Sequence, residues 1–174
     1  MDHLEVRRYG DPVLRRKASP VEAVTPEIRR LIDQMIETMY HDLGIGLAAP
    51  QVGISLRLIV VDDERGIGPI ALINPVITAS RGEVAGEEGC LSLPGIFGEV
   101  ARAEWVEVES LDREGRKKRL EARGLLARVI QHEIDHLDGV LFIDRLEKME
   151  RDRIKRKIKK DGLPDDAPHS ALAF

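Results

Sequence analysis

The sequence contains few of the residues on which several large classes of protein depend. Its 174 residues include one cysteine, Cys90, which excludes an intramolecular disulfide framework and favours a reducing compartment. Aromatic residues make up only 3%, which argues against a stacking platform for single-stranded nucleic acid. No apolar run is long enough to cross a bilayer, and the first residues lack the pattern of a secretory signal. We therefore expect a cytoplasmic protein with no membrane partner and no DNA partner.

The composition that remains is typical of a globular protein, with 43% hydrophobic and 33% charged residues and a net charge of -4. The length suits one domain, residues 1–174. Thr25 and Pro26 predict a helix start, and an apolar stripe continues it to about His41. Segment 44–51 is apolar and glycine-rich and is interpreted as a loop, and segment 82–89 is polar and contains several glycines. Strands are predicted at 56–61, 70–77, 105–110 and 116–121, the last two as a hairpin.

From Leu125 the apolar period changes to that of a helix with several buried sides, which Gly139 would end. We expect an α+β fold in which antiparallel strands pack around this central buried helix, with an N-terminal and a C-terminal helix. Asp144 would cap the C-terminal helix, about 145–160, and a flexible tail is expected at 161–174.

The buried helix carries a His-Glu-x-x-His pattern, the spacing of metal hydrolases. His132 and His136 are four residues apart, so both imidazoles point to one side of the helix and can bind one ion. Glu133 lies about 100° around the axis, which suits a base that touches a bound water without binding the metal. Three polar residues in an apolar helix need such partners, because each unsatisfied group costs about 2–7 kcal/mol when buried.

A catalytic ion needs a third protein ligand and an open position for water. One endopeptidase family would supply a histidine at the position of Phe142, and another a glutamate among 154–160, where there is none. Cys90 is the best remaining donor, because a thiolate and two imidazoles suit a borderline metal. Two rivals stay open: a zinc endopeptidase, and a structural site closed by a fourth ligand from His3, His41 or His169.

Three segments together resemble peptide deformylase of the bacterial type: 44–51 (Gly-Ile-Gly-Leu-Ala-Ala-Pro-Gln), 88–94 (Glu-Gly-Cys-Leu-Ser-Leu-Pro) and 131–139 (Gln-His-Glu-Ile-Asp-His-Leu-Asp-Gly). The resemblance runs from about Val6 to Arg145 and implies removal of the formyl group from the N-terminal formyl-methionine of nascent polypeptides, with release of formate. It implies that a metal-bound water is the nucleophile and that Glu133 is the general base and acid. The implied metal ligands are Cys90, His132 and His136, and the implied oxyanion donors are the Gln51 side chain and the Leu91 backbone N–H.

The resemblance points to one divalent ion, Fe²⁺ in the cell, whereas the ligand set itself also accepts Zn²⁺, Ni²⁺ or Co²⁺. The methionine side chain of the substrate needs an apolar pocket, for which Leu125, Val129 and Ile45 are candidates. Gly46 and Gly89 would let the peptide backbone lie close by as an added strand. Arg128 is expected at the rim of this site, in an ion pair.

The C-terminal helix is unusually basic. Residues 145–160 hold nine Lys or Arg against three acids, which is most often a solvated surface. Because basic patches favour phosphate, a second hypothesis is that this helix contacts ribosomal RNA, near the place where the substrate emerges.

Overall fold

The computed structural model describes residues 3–66, 68–164 and 174, and within them the chain forms three α-helices and seven strands. The elements are α1 Pro26–His41, β1 Gly46–Ala48, β2 Leu58–Val61, β3 Ile70–Arg81, β4 Val84–Cys90, β5 Leu93–Arg102, β6 Trp105–Leu111, β7 Lys117–Arg123, α2 Gly124–Leu137 and α3 Lys148–Asp161. The expected α+β class with antiparallel strands and three helices is confirmed. No helix in the described ranges has the length and apolarity to span a membrane.

Five strands form an antiparallel sheet in the order β1-β2-β3-β6-β7, and α1 and α2 cover its two faces. Successive side chains of β2 point alternately to the two faces of the sheet. Leu58 and Val60 belong to the hydrophobic cluster of α1, whereas Ile59 and Val61 belong to the cluster that includes α2. A strand buried on both faces has a continuous apolar sequence, as here. The helix α2 therefore packs on the face of the main sheet to which Ile59 and Val61 point.

The remaining strands, β4 and β5, form a separate antiparallel hairpin that ends at the pair Cys90 and Leu93. The sequence predicted no strand in the polar, glycine-containing segment 82–89, whereas residues 84–89 belong to β4. Its glycines allow close packing, since a Cβ on Gly89 would lie 2.6 Å from the Phe97 ring. Its polar residue Glu88 is neutralised by arginines. This hairpin carries Cys90 to α2.

Smaller differences concern element boundaries. Residues 46–48 pair with β2, so part of the predicted loop 44–51 is a strand. Asp144 accepts a bond from the Leu141 N–H and closes a short 3-10 turn, Phe142–Arg145, so α3 begins three residues later than predicted. The predicted tail begins inside α3, and its residues 165–173 lie outside the described part of the chain. Its last residue, Phe174, is fully buried.

Candidate metal centre

The three predicted ligands converge. The ligating atoms of Cys90, His132 and His136 all lie within 4.8 Å of one another, and all three residues are buried. Sγ of Cys90 is 3.4 Å from Nε2 of His136, which is 3.3 Å from Nε2 of His132. The helix α2 supplies both imidazoles from one face, and the end of β4 supplies the thiol. One thiol and two imidazoles are a donor set typical of catalytic sites, in which three protein ligands leave a fourth position for water.

The orientation of His132 is set by Glu88 on the neighbouring strand β4. Nδ1 of His132 lies 2.8 Å from a Glu88 carboxylate oxygen, which can only accept, so Nδ1 carries the proton and Nε2 faces the other ligands. Arg102 donates two bonds of 2.9 Å to Glu88, and Arg128 donates one of 2.7 Å. Burial would raise the pKa of Glu88, but bonds from Arg102 and His132 lower it to about 2. Glu88 is therefore a permanent anion behind the ligand.

Burial also governs the protonation of the ligands themselves. It lowers the pKa of His132 and, more strongly, that of His136, so both imidazoles are neutral and able to bind a cation. It raises the pKa of the Cys90 thiol, with a contribution from the carboxylate of Glu133. Binding of an ion therefore releases the thiol proton.

Glu133 is fully buried beside the ligands. Within the described residues neither of its carboxylate oxygens has a hydrogen-bond partner, and the same holds for Nδ1 of His136. Burial raises the pKa of Glu133 well above its ordinary value, and the charge of Glu88 adds to the effect. Unpartnered buried polar atoms are rare in folded proteins, and together with the donor set they fit a site for a hydrated metal ion.

The Gln51 side chain points at the thiol. Its Oε1 accepts the Ala48 N–H at 2.9 Å, which fixes the direction of the amide. Its Nε2 then lies 3.6 Å from Sγ of Cys90 and 3.2 Å from Oγ of Ser92. The Leu91 N–H, adjacent to Cys90, donates to the main-chain oxygen of Phe174 at 3.1 Å. Two N–H donors thus lie next to Cys90.

The candidate pocket residues are also grouped. Ile45 and Val129 are buried in one hydrophobic cluster, against which Leu125 packs. Both predicted glycines are close to the site, but their lack of a side chain serves internal packing. A Cβ on Gly46 would lie 2.6 Å from a Glu133 oxygen, and one on Gly89 would meet Phe97.

The structure corrects the expected position of Arg128 and excludes two of the three candidates for a fourth ligand. Arg128 is buried instead of lying at a rim, because Glu88 and the carbonyls of Val84 and Val100 accept its bonds. His3 and His41 are exposed and stack on each other, so neither joins the ligand group. The third candidate for a fourth ligand, His169, lies outside the described residues.

Sequence reasoning missed the partners behind the ligands. Glu88 stood in a quoted motif, yet nothing local marked it as the acceptor for His132, which is 44 residues away. Arg102 is buried and joins Glu88 to Asp135 of α2, a link that depends on how the hairpin packs on the helix. No sequence pattern marked Phe174 as a site residue, because a single apolar residue outside any motif predicts no particular contact.

The fold and the site together are typical of one class, the metal-dependent hydrolases: two histidines on a buried helix and a cysteine on a hairpin form a candidate metal centre. Comparison with known proteins is more specific. The family model of polypeptide deformylase matches residues 3–152. A peptide deformylase of Thermodesulfovibrio yellowstonii is 52% identical over 159 residues, which are 90% of this chain and 96% of that protein.

Solved structures agree with this comparison. The crystal structure of peptide deformylase from Thermus thermophilus matches with a TM-score of 0.85 and 52% identity, covering 90% of this chain and 93% of that one. A peptide deformylase from Synechococcus elongatus, in complex with actinonin, matches with a TM-score of 0.85 and 48% identity over 93% and 89%. The chain belongs to the polypeptide deformylase family and is an enzyme of that kind.

Proposed function

We propose that the protein removes the N-terminal formyl group from the formyl-methionine of nascent polypeptides and releases formate, using one divalent ion. The observation that carries this proposal is the convergence of one thiol and two imidazoles within 4.8 Å, beside a buried carboxylate without a partner.

Cys90, His132 and His136 would hold the ion, and Glu88 would keep the imidazole of His132 in place. When bound, the ion supplies Lewis acidity, which polarises the formyl oxygen and lowers the pKa of a coordinated water. Fe²⁺ is our proposal for the ion in the cell, on the family resemblance. Zn²⁺, Ni²⁺ and Co²⁺ suit the same donors.

Glu133 would move the proton. Its carboxylate is buried, close to the proposed ligands and without a partner among the described residues, and burial raises its pKa. A carboxylate of raised pKa accepts the proton from the attacking water and then delivers it to the departing amine of methionine. The same group therefore acts first as base and then as acid.

Two donors would stabilise the oxyanion that forms on the formyl oxygen. They are Nε2 of Gln51, directed by the bond of its Oε1 to Ala48, and the N–H of Leu91. Each such donor typically contributes about 2.7–4 kcal/mol to the transition state. The cluster that includes Ile45, Val129 and Leu125 would receive the methionine side chain of the substrate, and the main chain of Gly89 would pair with its backbone.

The rival functions fit the site less well. Phe142, where an endopeptidase would need a ligand, is a buried core residue whose ring centroid is 6.1 Å from that of His132. A structural site needs a fourth protein ligand, and the ligand group found in the described residues has three members.

Formate release from a formyl-methionyl peptide tests the proposal. We expect activity in the parent loaded with Ni²⁺ or Fe²⁺, and a loss of at least 100-fold in Glu133→Gln with the metal content unchanged. Cys90→Ala should lose the metal. Full activity in Glu133→Gln would refute the role of Glu133. Cleavage of an internal peptide bond without formate release would favour the endopeptidase.

We also propose that α3 contacts the ribosome. Its basic residues Arg153, Lys155, Arg156, Lys157, Lys159 and Lys160 are exposed, while Ile154 packs into the core. Because that anchor must stay, the test is charge reversal in the intact chain: Lys155→Glu with Lys159→Glu should weaken co-sedimentation with ribosomes. The matched control is Arg116→Glu with Lys118→Glu, exposed on another surface. An equal loss in both pairs would show nonspecific charge attraction, and no loss in either would exclude the contact.

A further inference from the structure

The last residue of the sequence lies in the candidate active site. The Phe174 side chain has no exposed surface, and its ring centroid is 5.1 Å from that of His132, in an edge-to-face arrangement of 81°. Phe174 belongs to the same hydrophobic cluster as Ile45 and Val129, the residues proposed to receive the substrate side chain. An apolar side chain of this chain therefore lies beside His132 and in the hydrophobic cluster to which the proposed function assigns the methionine side chain.

The main chain of Phe174 pairs with the residues on both sides of Cys90. Its N–H donates to the Gly89 oxygen at 3.2 Å, and its oxygen accepts the Leu91 N–H at 3.1 Å. This two-way exchange is how an extended peptide adds to the edge of a strand. The Leu91 N–H is also the proposed oxyanion donor, so Phe174 and the formyl oxygen of a substrate need the same group.

We infer that Phe174 is a built-in competitor of the substrate: it occupies the cleft in cis, and it must leave before a formylated peptide binds. The inference rests on the proposed function, since that function defines the competing ligand. Side chain, N–H and oxygen each engage a partner that the substrate would use, so the two occupants exclude one another.

The strength of such competition follows from tethering. A ligand carried on the same chain acts at an effective concentration of the order of 1 mM. If a single residue binds this cleft with a dissociation constant of about 0.1 mM, the apparent KM rises about tenfold. Because substrate at saturation displaces the competitor, kcat should not change. Phe174 would then lower the rate at low substrate concentration and leave kcat unchanged.

The test compares the intact parent with Phe174→Ala and Phe174→Leu by formate release over a range of formyl-methionyl peptide concentrations. We expect a KM about tenfold lower in Phe174→Ala at equal kcat, and little change in Phe174→Leu, which keeps an apolar occupant. Met149→Ala is the matched control, because Met149 is an apolar side chain of α3 that is 85% exposed. Its KM should equal that of the parent.

Other outcomes overturn the inference. An unchanged KM in Phe174→Ala, together with a lower melting temperature, would make Phe174 a core residue and no competitor. A KM that falls when the parent is diluted would mean that the occupant comes from a second copy.

A measurement on the metal-free protein separates the competition from the proposed function. Hydrogen exchange of the Leu91 amide should be faster in Phe174→Ala than in the parent and the Met149→Ala control. If no variant released formate, the proposed function would fail while this exchange difference still reported the occupancy. Equal exchange in all three proteins would overturn the inference on its own.

Discussion

Glu133 can occupy its position because the neighbouring residue Gly46 has no side chain. Gly46 lies in β1 directly against it, and an added Cβ would meet the Glu133 carboxylate at 2.6 Å and the Val129 side chain at 2.7 Å. The Glu133 carboxylate could move away from an added methyl group, but it would then leave its position beside the proposed metal ligands. Catalytic groups displaced by about 1 Å lose about 100-fold in rate.

We therefore expect Gly46→Ala to fold and to lose about 100-fold in kcat/KM, because the methyl group displaces Glu133. Formate release and melting temperature measure the two effects. Gly98→Ala is the steric control, since its Cβ would approach Leu146 at 2.7 Å, away from Glu133. Overpacking should cost each variant about 1–3 kcal/mol. Equal activity losses in both would show that the defect is general.

At the scale of elements, one arginine joins the β4–β5 hairpin to α2. Arg102 of β5 donates to Glu88 of β4 and to Asp135 of α2, where the distance is 2.6 Å. Asp135 also receives Arg145 from the turn that follows α2. This network, buried at Glu88 and Arg102, links the hairpin that carries Cys90 to the helix that carries the two histidines.

We expect Arg102→Met to lower the free energy of unfolding by about 3–5 kcal/mol, because the buried carboxylate of Glu88 loses two of its three arginine bonds. Urea unfolding measures this loss, and metal content at limiting Ni²⁺ should fall with it. Arg116→Met removes an exposed arginine paired with Asp112, and it should cost about 0–1 kcal/mol. A loss of similar size in both variants would contradict the role of the network.

At the scale of the whole molecule, a bound ion would link segments that are far apart in the sequence. Its proposed ligands come from the hairpin and from α2, which is itself packed on the main sheet. Binding to the folded state alone adds about 4.1 kcal/mol when the ion is a thousandfold above its dissociation constant.

Ni²⁺ should therefore raise the melting temperature of the metal-free protein, and a chelator should reverse the rise. Mg²⁺ should have no effect, because it prefers oxygen ligands. Cys90→Ala should show little response to Ni²⁺. An equal rise in this variant would place the stabilising ion elsewhere.

The local sequence determined α1, the hairpin β6–β7 and the shared face of His132 and His136, because caps, periods and the four-residue spacing act between near neighbours. It also carried the motifs that marked Cys90 and Gln51. Only the tertiary structure placed Arg102 and Arg128 behind Glu88, made a strand of 84–90 and brought Phe174 to Leu91. These contacts join residues far apart in the chain, and they depend on strand register and on which buried charges meet, which no local pattern specifies.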